Sequence, residues 1–287
     1  SNQLIKEVNS DPNSAWTAGE NTIFKGKALS QIKHMLGAFL VDTRTDRRPR
    51  YTIEVSPSFL PKEFDSRTKW PSCIHKVRNQ AQCGSCWAFS ASEVLSDRFC
   101  IASKGVVNKV LSPQDMVSCD SSNYACRGGY LDKAWTYMIN KGIVTDTCFN
   151  YHSGKGFVPK CPFPPNNCPD SQEEFKKYHA KGPIRQFGDI QSIESDIIDF
   201  GPVQTGFQVY RDFFSYKSGV YSHVTGGFAG GHAVKIVGWG HDSKSGQEYW
   251  IVANSWGETW GLNGYFWIKK GTNECNIEKQ AIAGQAD

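Results

Sequence analysis

No stretch of the 287-residue sequence approaches the roughly 20 consecutive apolar residues that a membrane-crossing helix requires, so no membrane partner is expected. Blocks of one charge are also missing: 32 basic residues stand against 28 acidic ones, and the densest run is the short Arg47, Arg48, Arg50 group. Without a basic stripe there is no electrostatic footprint for nucleic acid. No Asn-x-Ser/Thr triplet occurs, which removes the expectation of N-glycosylation. The first residues are polar and form no secretory leader; cysteine usage calls for one, so the expectation is that it has been removed. Apolar material, by contrast, is ample. A hydrophobic fraction of 39%, with nine Trp, eleven Tyr and seventeen Phe, suffices for one or two cores.

Ten cysteines, at 73, 83, 86, 100, 119, 126, 148, 161, 168 and 275, are many for a reducing cytosol and suit structural disulfides in an oxidising compartment. The first 59 residues hold none of them, carry eight basic and six acidic side chains, and have too little apolar material for an independent core. Within them, Leu29, Ile32, Leu36, Phe39 and Leu40 fall at helical spacing and predict a short amphipathic helix over 29–40. Val41 to Ser58 has no sustained periodicity and reads as an extended, accessible linker, with a boundary near Phe59 and Leu60. Cys86 to Ser103 is free of strong breakers up to Gly105 and predicts a helix that begins at Cys86. Ser112-Pro113 reads as an N-cap and first helical residue, and Tyr130 to Lys141 as a further helix stopped by Gly142. From His232 the texture becomes strand-like, over 232–239, 248–253 and 264–268. The pattern is α+β, a helical first half and a sheet-rich second half, with a cleft expected where they join.

Three strings bear chemistry: Gln-Ala-Gln-Cys-Gly-Ser-Cys-Trp at 80–87, Gly-Gly-His-Ala-Val at 230–234, and Ala-Asn-Ser-Trp at 253–256. They supply a thiol, an imidazole and a side-chain amide, the parts of an activated cysteine nucleophile. Taken singly each is weak. Cys83 and Cys86 alone also fit a redox pair or half of a zinc site, His232 alone fits a packed histidine, and Asn254 alone means nothing. A thiol titrates at roughly 8.5, and the thiolate is the attacking species. The N-terminus of the helix at Cys86 and an imidazolium at His232 would both stabilise it, giving a thiolate–imidazolium resting pair. Asn254 would orient the ring through its amide oxygen, and Trp256 would shield that contact from water.

A Cys-Gly-Ser-Cys-Trp string followed about 130 to 150 residues later by His and Asn is the recognised papain and cathepsin signature, and the chain resembles papain-like cysteine peptidases. The likeness is strongest to the cathepsin B-like branch and runs from about Trp16 to Gly284. It is carried by Trp16-Thr-Ala-Gly19, Ile32-Lys-His-Met-Leu-Gly-Ala-Phe-Leu40, Leu60-Pro-Lys-Glu-Phe-Asp-Ser-Arg67, Trp70-Pro-Ser-Cys73 and Gly261-Leu-Asn-Gly-Tyr265. It implies a papain-like two-lobe fold, a helical lobe and a sheet or barrel lobe, preceded by an inhibitory propeptide over 1–59, with the mature peptidase over 60–287. Leu36, Gly37 and Ala38 would thread past Cys86 against the substrate direction. An independent N-terminal regulatory arm is the alternative for that segment. By the same resemblance Gln80 is the side-chain oxyanion donor, and Cys73 pairs with Cys100, Cys83 with Cys126, Cys119 with Cys161, and Cys148 with Cys168. Sequence alone leaves on the order of a hundred pairings open for eight cysteines. Cys86 and Cys275 would stay unpaired, the latter buried.

Gly128 and Gly129 resemble the glycines that lie along the substrate backbone, and Tyr130, Leu131, Ala233 and Gln280 match the lining of the S2 pocket. Two departures from cathepsin B alter the expected activity. Between Cys148 and Cys161 the sequence has no further cysteine and no His-His pair, so the carboxylate-holding occluding loop is shortened or missing and endopeptidase action is expected, with His152 or Lys155 as a weak anchor at most. Gln280 stands where the branch has a glutamate, so apolar P2 residues are expected over Arg, Glu278 being the alternative carboxylate. The remaining implications are protein and peptide substrates, no cofactor or metal, a monomer, and a lysosome-like or secreted location. Activation by acid is expected through protonation of carboxylates that hold the propeptide. Dipeptidyl carboxypeptidase activity, a catalytically silent papain-fold binding protein and a Cys-x-x-Cys oxidoreductase are the competing readings.

Overall fold

The computed structural model describes residues 2–287. Its N-terminal part runs through α1 (Asn2–Ser10), β1 (Trp16–Ala18) and α2 (Leu29–Ile32) into an extended segment. After β2 (Phe64–Asp65) and α3 (Ser66–Lys69) come α4 (Cys86–Ala102), α5 (Pro113–Cys119) and α6 (Leu131–Asn140). The second half contributes β3 (Ala180–Gln186), α7 (Ile190–Phe200), β4 (Val203–Tyr210), β5 (Tyr216–Tyr221), β6 (Phe228–His241), β7 (Glu248–Ala253), β8 (Tyr265–Lys269) and β9 (Ile282–Ala286). Local chemistry sets the helix ends. Ser112 accepts from Asp115 N at 3.1 Å with Pro113 in the first turn, and Gly142, at φ +69°, takes the left-handed turn after α6.

Two cores result. Trp87, Val94, Trp135 and Met138 pack α4 to α6 together, while Phe207, Trp250, Trp260 and Phe266 fill the sheet lobe. Among the described residues the strands join in the order β1-β5-β8-β7-β6-β4-β9-β3, with β2 on β6. α4 bridges the cores through fully buried ion pairs, Arg98 to Asp196 of α7 at 2.7 Å and Lys235 of β6 to Asp97 at 2.7 Å. Losing one partner of such a pair strands a charge in a dry interior, so these contacts hold α4 and β6 in one relative position. That position determines where Cys86 meets the strand carrying His232.

The N-terminal segment lies on the sheet lobe. β1 extends the sheet by pairing antiparallel with β5, α1 buries Val8, and Trp16 packs on Tyr216 and Tyr221. The helix expected over 29–40 is only half formed: α2 ends at Ile32, a 3-10 turn spans Lys33–Met35, and the chain is extended beyond it. The apolar spacing coincided with a helix, but residues 37–39 bond to Gly129 and Gly231 on the two walls of the cleft, which a helix would prevent. The 41–58 linker is extended but not free. Tyr51 N donates to Gln186 O at 2.7 Å, Gly188 N to Tyr51 O at 2.8 Å, and Arg48 pairs with Asp132 at 2.9 Å.

Disulfides join Cys73 to Cys100, Cys83 to Cys126, Cys119 to Cys161, and Cys148 to Cys168. Since Cys83 is bonded to Cys126, no redox pair or zinc half-site remains at 83 and 86. Cys275 is half-buried, less enclosed than expected.

Candidate active site

Cys86 is the first residue of α4 and is fully buried, with its Sγ accepting from Gly37 N at 3.3 Å and from Ala233 N at 3.4 Å. Helical lobe, sheet lobe and N-terminal segment therefore meet at one sulfur. His232, next to Ala233 on β6, has its Nε2 at 2.7 Å from Asn254 Oδ1, at the end of β7. Ser255 N donates to the same Oδ1 at 2.8 Å, which identifies that atom as the oxygen. The ring must then carry its proton on Nε2, leaving Nδ1 as the basic nitrogen, and Nδ1 is buried without a hydrogen-bond partner. Trp256 covers the ring at a centroid distance of 4.8 Å.

Burial in this closed form works against the expected thiolate–imidazolium pair. Burial pushes the Cys86 thiol up to about 11 against the N–H groups of Ala233 and Gly37. Burial likewise pulls His232 down to about 4, although the Asn254 contact favours the charged ring. With water excluded by the N-terminal segment, neither charge is hydrated, and desolvation outweighs the helix N-terminus.

Gln80 is held on every polar atom. Its backbone N donates to Ser255 O at 2.8 Å, its Oε1 accepts from Ser255 Oγ at 2.6 Å, and its Nε2 donates to Cys83 O at 2.9 Å and Met35 O at 2.8 Å. The carbonyl of Met35 thus takes the amide proton that faces the cleft. From there the segment runs over Gly37, whose carbonyl accepts from Gly129 N at 2.9 Å, while Phe39 N donates to Gly129 O at 2.9 Å and Ala38 N to Gly231 O at 3.1 Å. The bridge between Ala38 and Gly129 is parallel.

Leu40 enters the pocket that the sequence assigned to S2. A Cβ on Gly206 would meet Leu40 Cδ2 at 2.5 Å and Leu131 Cδ1 at 3.5 Å, so the missing methyl makes room there. Leu131 and Ala233 belong to the core that Leu40 joins. Gln280 clasps Val41 on both sides, Nε2 to Val41 O at 2.7 Å and Oε1 from Val41 N at 3.1 Å. Tyr130 faces a different residue: its ring and that of Tyr124 flank Phe39 at 5.1 and 5.6 Å, and Gly128, at φ +128°, lies under the Phe39 ring. Glu278 is saturated by Trp250 Nε1, Gly271 N and Asn273 N at 2.7–2.8 Å, which removes it as the alternative pocket carboxylate. The cleft itself is filled. An open space of about 880 Å³ lies beside it between residues 40–44 and Tyr210, Phe228 and Glu274, and Cys86 is not among its lining residues.

His152, considered as a carboxylate anchor, is occupied by Asp170 at 2.7 Å. Sequence reasoning missed Ser255, although its place beside Asn254 was a usable signal, and Tyr151, whose hydroxyl meets Gln80 O and Ser85 Oγ with no sequence signal at all.

The chain resembles known proteins over its whole length. Residues 60–285 match the papain family cysteine protease model, and residues 1–42 match the peptidase family C1 propeptide model. A cathepsin B-like cysteine proteinase of Schistosoma japonicum is 37% identical over 99% of this chain and 90% of its own length. Cathepsin B-like cysteine proteinase 4 of Caenorhabditis elegans is 39% identical over 98% of this chain and 91% of its own. Among solved structures, procathepsin B S9 from Trypanosoma congolense superposes with a TM-score of 0.85 at 33% identity, over 100% of this chain and 98% of that one. Digestive procathepsin L2 from Tenebrio molitor larval midgut gives 0.80 at 28% identity, over 99% and 89%. With its cysteine at a helix start, its propeptide across the cleft and these relatives, the chain belongs to the papain family of cysteine proteases, as a cathepsin B-like zymogen.

Proposed function

We propose that residues 1–59 act as an intramolecular inhibitor of a cysteine endopeptidase formed by residues 60–287. The observation that carries this reading is the meeting of Gly37 N, Ala233 N and Cys86 Sγ, beside a His232 already oriented by Asn254. The boundary is supported by Phe59, 84% exposed at the end of the docked linker and open to cleavage. Removal of the propeptide rehydrates the site. The thiol then transfers its proton to His232, and the thiolate attacks a substrate carbonyl to form a thioester while the imidazolium protonates the leaving amine. Developing negative charge falls between the Cys86 N–H and Gln80 Nε2, the second of which Met35 O now engages. The inhibitor escapes cleavage because its reversed course presents an N–H, that of Gly37, to the sulfur instead of a carbonyl carbon. Active-site titration of processed protein tests this reading: one thiol per chain should label, and His232→Ala should remove its activation.

Specificity follows from who occupies the cleft. Leu40 in an apolar pocket, with neutral Gln280 at its rim, supports a preference for apolar P2 residues. On the primed side, His152 is committed to Asp170 and no second histidine adjoins it, which supports endopeptidase over dipeptidyl carboxypeptidase action. A peptide library should show P2 Leu or Val cut at least about tenfold faster than P2 Arg, an unpaired guanidinium in such a pocket costing about 1.4 kcal/mol or more. Equal rates, or stepwise release of C-terminal dipeptides as the main reaction, would contradict the assignment.

Acid activation gains a defined window. The closed neutral pair and the open ion pair hold the same single proton, so opening at Cys86 and His232 takes up none near neutrality. Carboxylates remain. Across the docking contact, a hydrogen bond from Thr225, with a further one from Gln3 inside the propeptide, holds Glu7 below its usual 4.5. A depressed carboxylate stabilises docking above its free value, and that support fades as pH falls through the lowered one. Processing should therefore be flat from about pH 7 to 5 and rise below about 4.5, where Glu7 begins to protonate. A steep rise between pH 7 and 6 would locate the trigger elsewhere. Four disulfides support an oxidising, lysosome-like or secreted location, and we take the active unit to be a monomer.

A further inference from the structure

Tyr151 stands behind the segment that carries both the nucleophile and the oxyanion donor. Its hydroxyl donates to the backbone carbonyl of Gln80 at 2.6 Å. That uses its single proton, so the Ser85 hydroxyl, 2.9 Å away, must donate to the phenolic oxygen. One side chain therefore ties the first residue of the 80–86 segment to the residue immediately before Cys86. Ser85 is the N-cap position of α4, yet its hydroxyl makes no capping bond and turns to Tyr151 instead. The Tyr151 ring is edge-on to Phe89 in the first turn of α4, with centroids 4.6 Å apart.

Tyr151 is itself anchored. Gln114 Oε1 accepts from His152 N at 2.7 Å and from Ser153 N at 3.1 Å, and Gly154 O accepts from Gln82 N at 2.8 Å. Burial pushes the phenol up to about 12, so it remains a proton donor across the working range.

We propose that Tyr151 is a positioning residue for the oxyanion hole, fixing the Gln80 main chain against the N-terminus of α4. The inference rests on the reading of Gln80 as oxyanion donor. Two donors must reach one oxygen at about 2.7–3.1 Å, and here one is the Cys86 N–H of α4 while the other is a side chain on a loop. Ser255 holds Gln80 to the sheet lobe through two hydrogen bonds. Tyr151 holds the same residue to the helical lobe. Without its hydroxyl, the Gln80 amide would be tied to the helical lobe chiefly through Cys83 O, and its distance to the Cys86 N–H would be set less firmly.

The test uses processed enzyme carrying Tyr151→Phe, which keeps the ring and its contact with Phe89. We expect kcat to fall roughly tenfold, less than the 100-fold or more for outright loss of a donor, with KM unchanged. Affinity for a peptide aldehyde, whose adduct oxygen needs the same donors, should fall in parallel. Alkylation by iodoacetamide, which develops no oxyanion, should keep its rate and pH profile. In a Gln80→Ala background, Tyr151→Phe should add nothing. Ser85→Ala, which cuts the link from its other end, should reproduce the pattern. Unchanged kcat and aldehyde affinity would overturn the proposal, as would equal losses in both backgrounds or alkylation that slows as much as turnover. Parental kcat in Gln80→Ala alone would overturn the oxyanion reading, and this inference with it.

Discussion

Gly37→Val opens the cleft of the uncleaved chain. A Cβ at residue 37 would overlap the carbonyl of Gly84, which is backbone and is itself fixed because Gly84 N donates to Cys126 O at 2.8 Å beside the Cys83–Cys126 disulfide. Neither wall can retreat, so the inhibitory strand must lift. Lifting it breaks the bonds from Gly37 N to Sγ, from Gly129 N to Gly37 O and from Phe39 N to Gly129 O. Each such bond contributes about 0.5–1.5 kcal/mol net, and overpacking adds about 1–3 kcal/mol. The low end of that sum, about 3 kcal/mol, already corresponds to roughly a hundredfold shift toward the open form. The readout is alkylation of Cys86 in uncleaved protein, which in the parent is suppressed by burial and a thiol at about 11. The variant should label about a hundred times faster, and its rate should level off at lower pH because the hydrated thiol ionises more readily. Parental labelling in a folded Gly37→Val protein would mean that this contact does not close the cleft.

Gln80→Ala should lower turnover of the processed enzyme by roughly 100- to 1000-fold, the range for removal of one oxyanion donor. Alkylation by a small electrophile should stay largely intact, since the thiol and its base are untouched. The zymogen adds a second consequence. Gln80 Nε2 also holds Met35 O at 2.8 Å, so the variant should bind its own propeptide less tightly while turning over less substrate. Added propeptide inhibiting the variant as strongly as the parent would remove Met35 from the oxyanion site. Near-parental turnover would remove Gln80 from catalysis.

Much of the architecture was readable residue by residue. Cys86 opening α4, the Ser112-Pro113 start of α5, the Gly142 stop after α6 and the cores of β6, β7 and β8 all lay in local patterns of breakers, caps and alternation. Other elements had no such pattern. β1 is three residues long and exists because β5 offers an unpaired edge, and α1 is stable because Val8, Leu4 and Ile5 find the sheet lobe. The 29–40 segment shows the limit most clearly, since its helical spacing yields wherever bonds to Gly129 and Gly231 hold the chain extended.

The sequence by itself determined the chemical inventory: a thiol, an imidazole and an amide in an order and spacing that suit nucleophilic catalysis, to which the family resemblance added Gln80 and a neutral Gln280. Those are properties of residue types and of distances along the chain. Only the tertiary structure decided the burial that shifts Cys86 up and His232 down, the use of Met35 O to occupy Gln80, the filling of the apolar pocket by Leu40 and the tie made by Tyr151. Each of these depends on which groups exclude water and on which atoms from distant segments come within about 3 Å, and desolvation and directional bonding act on neighbours in space rather than in sequence.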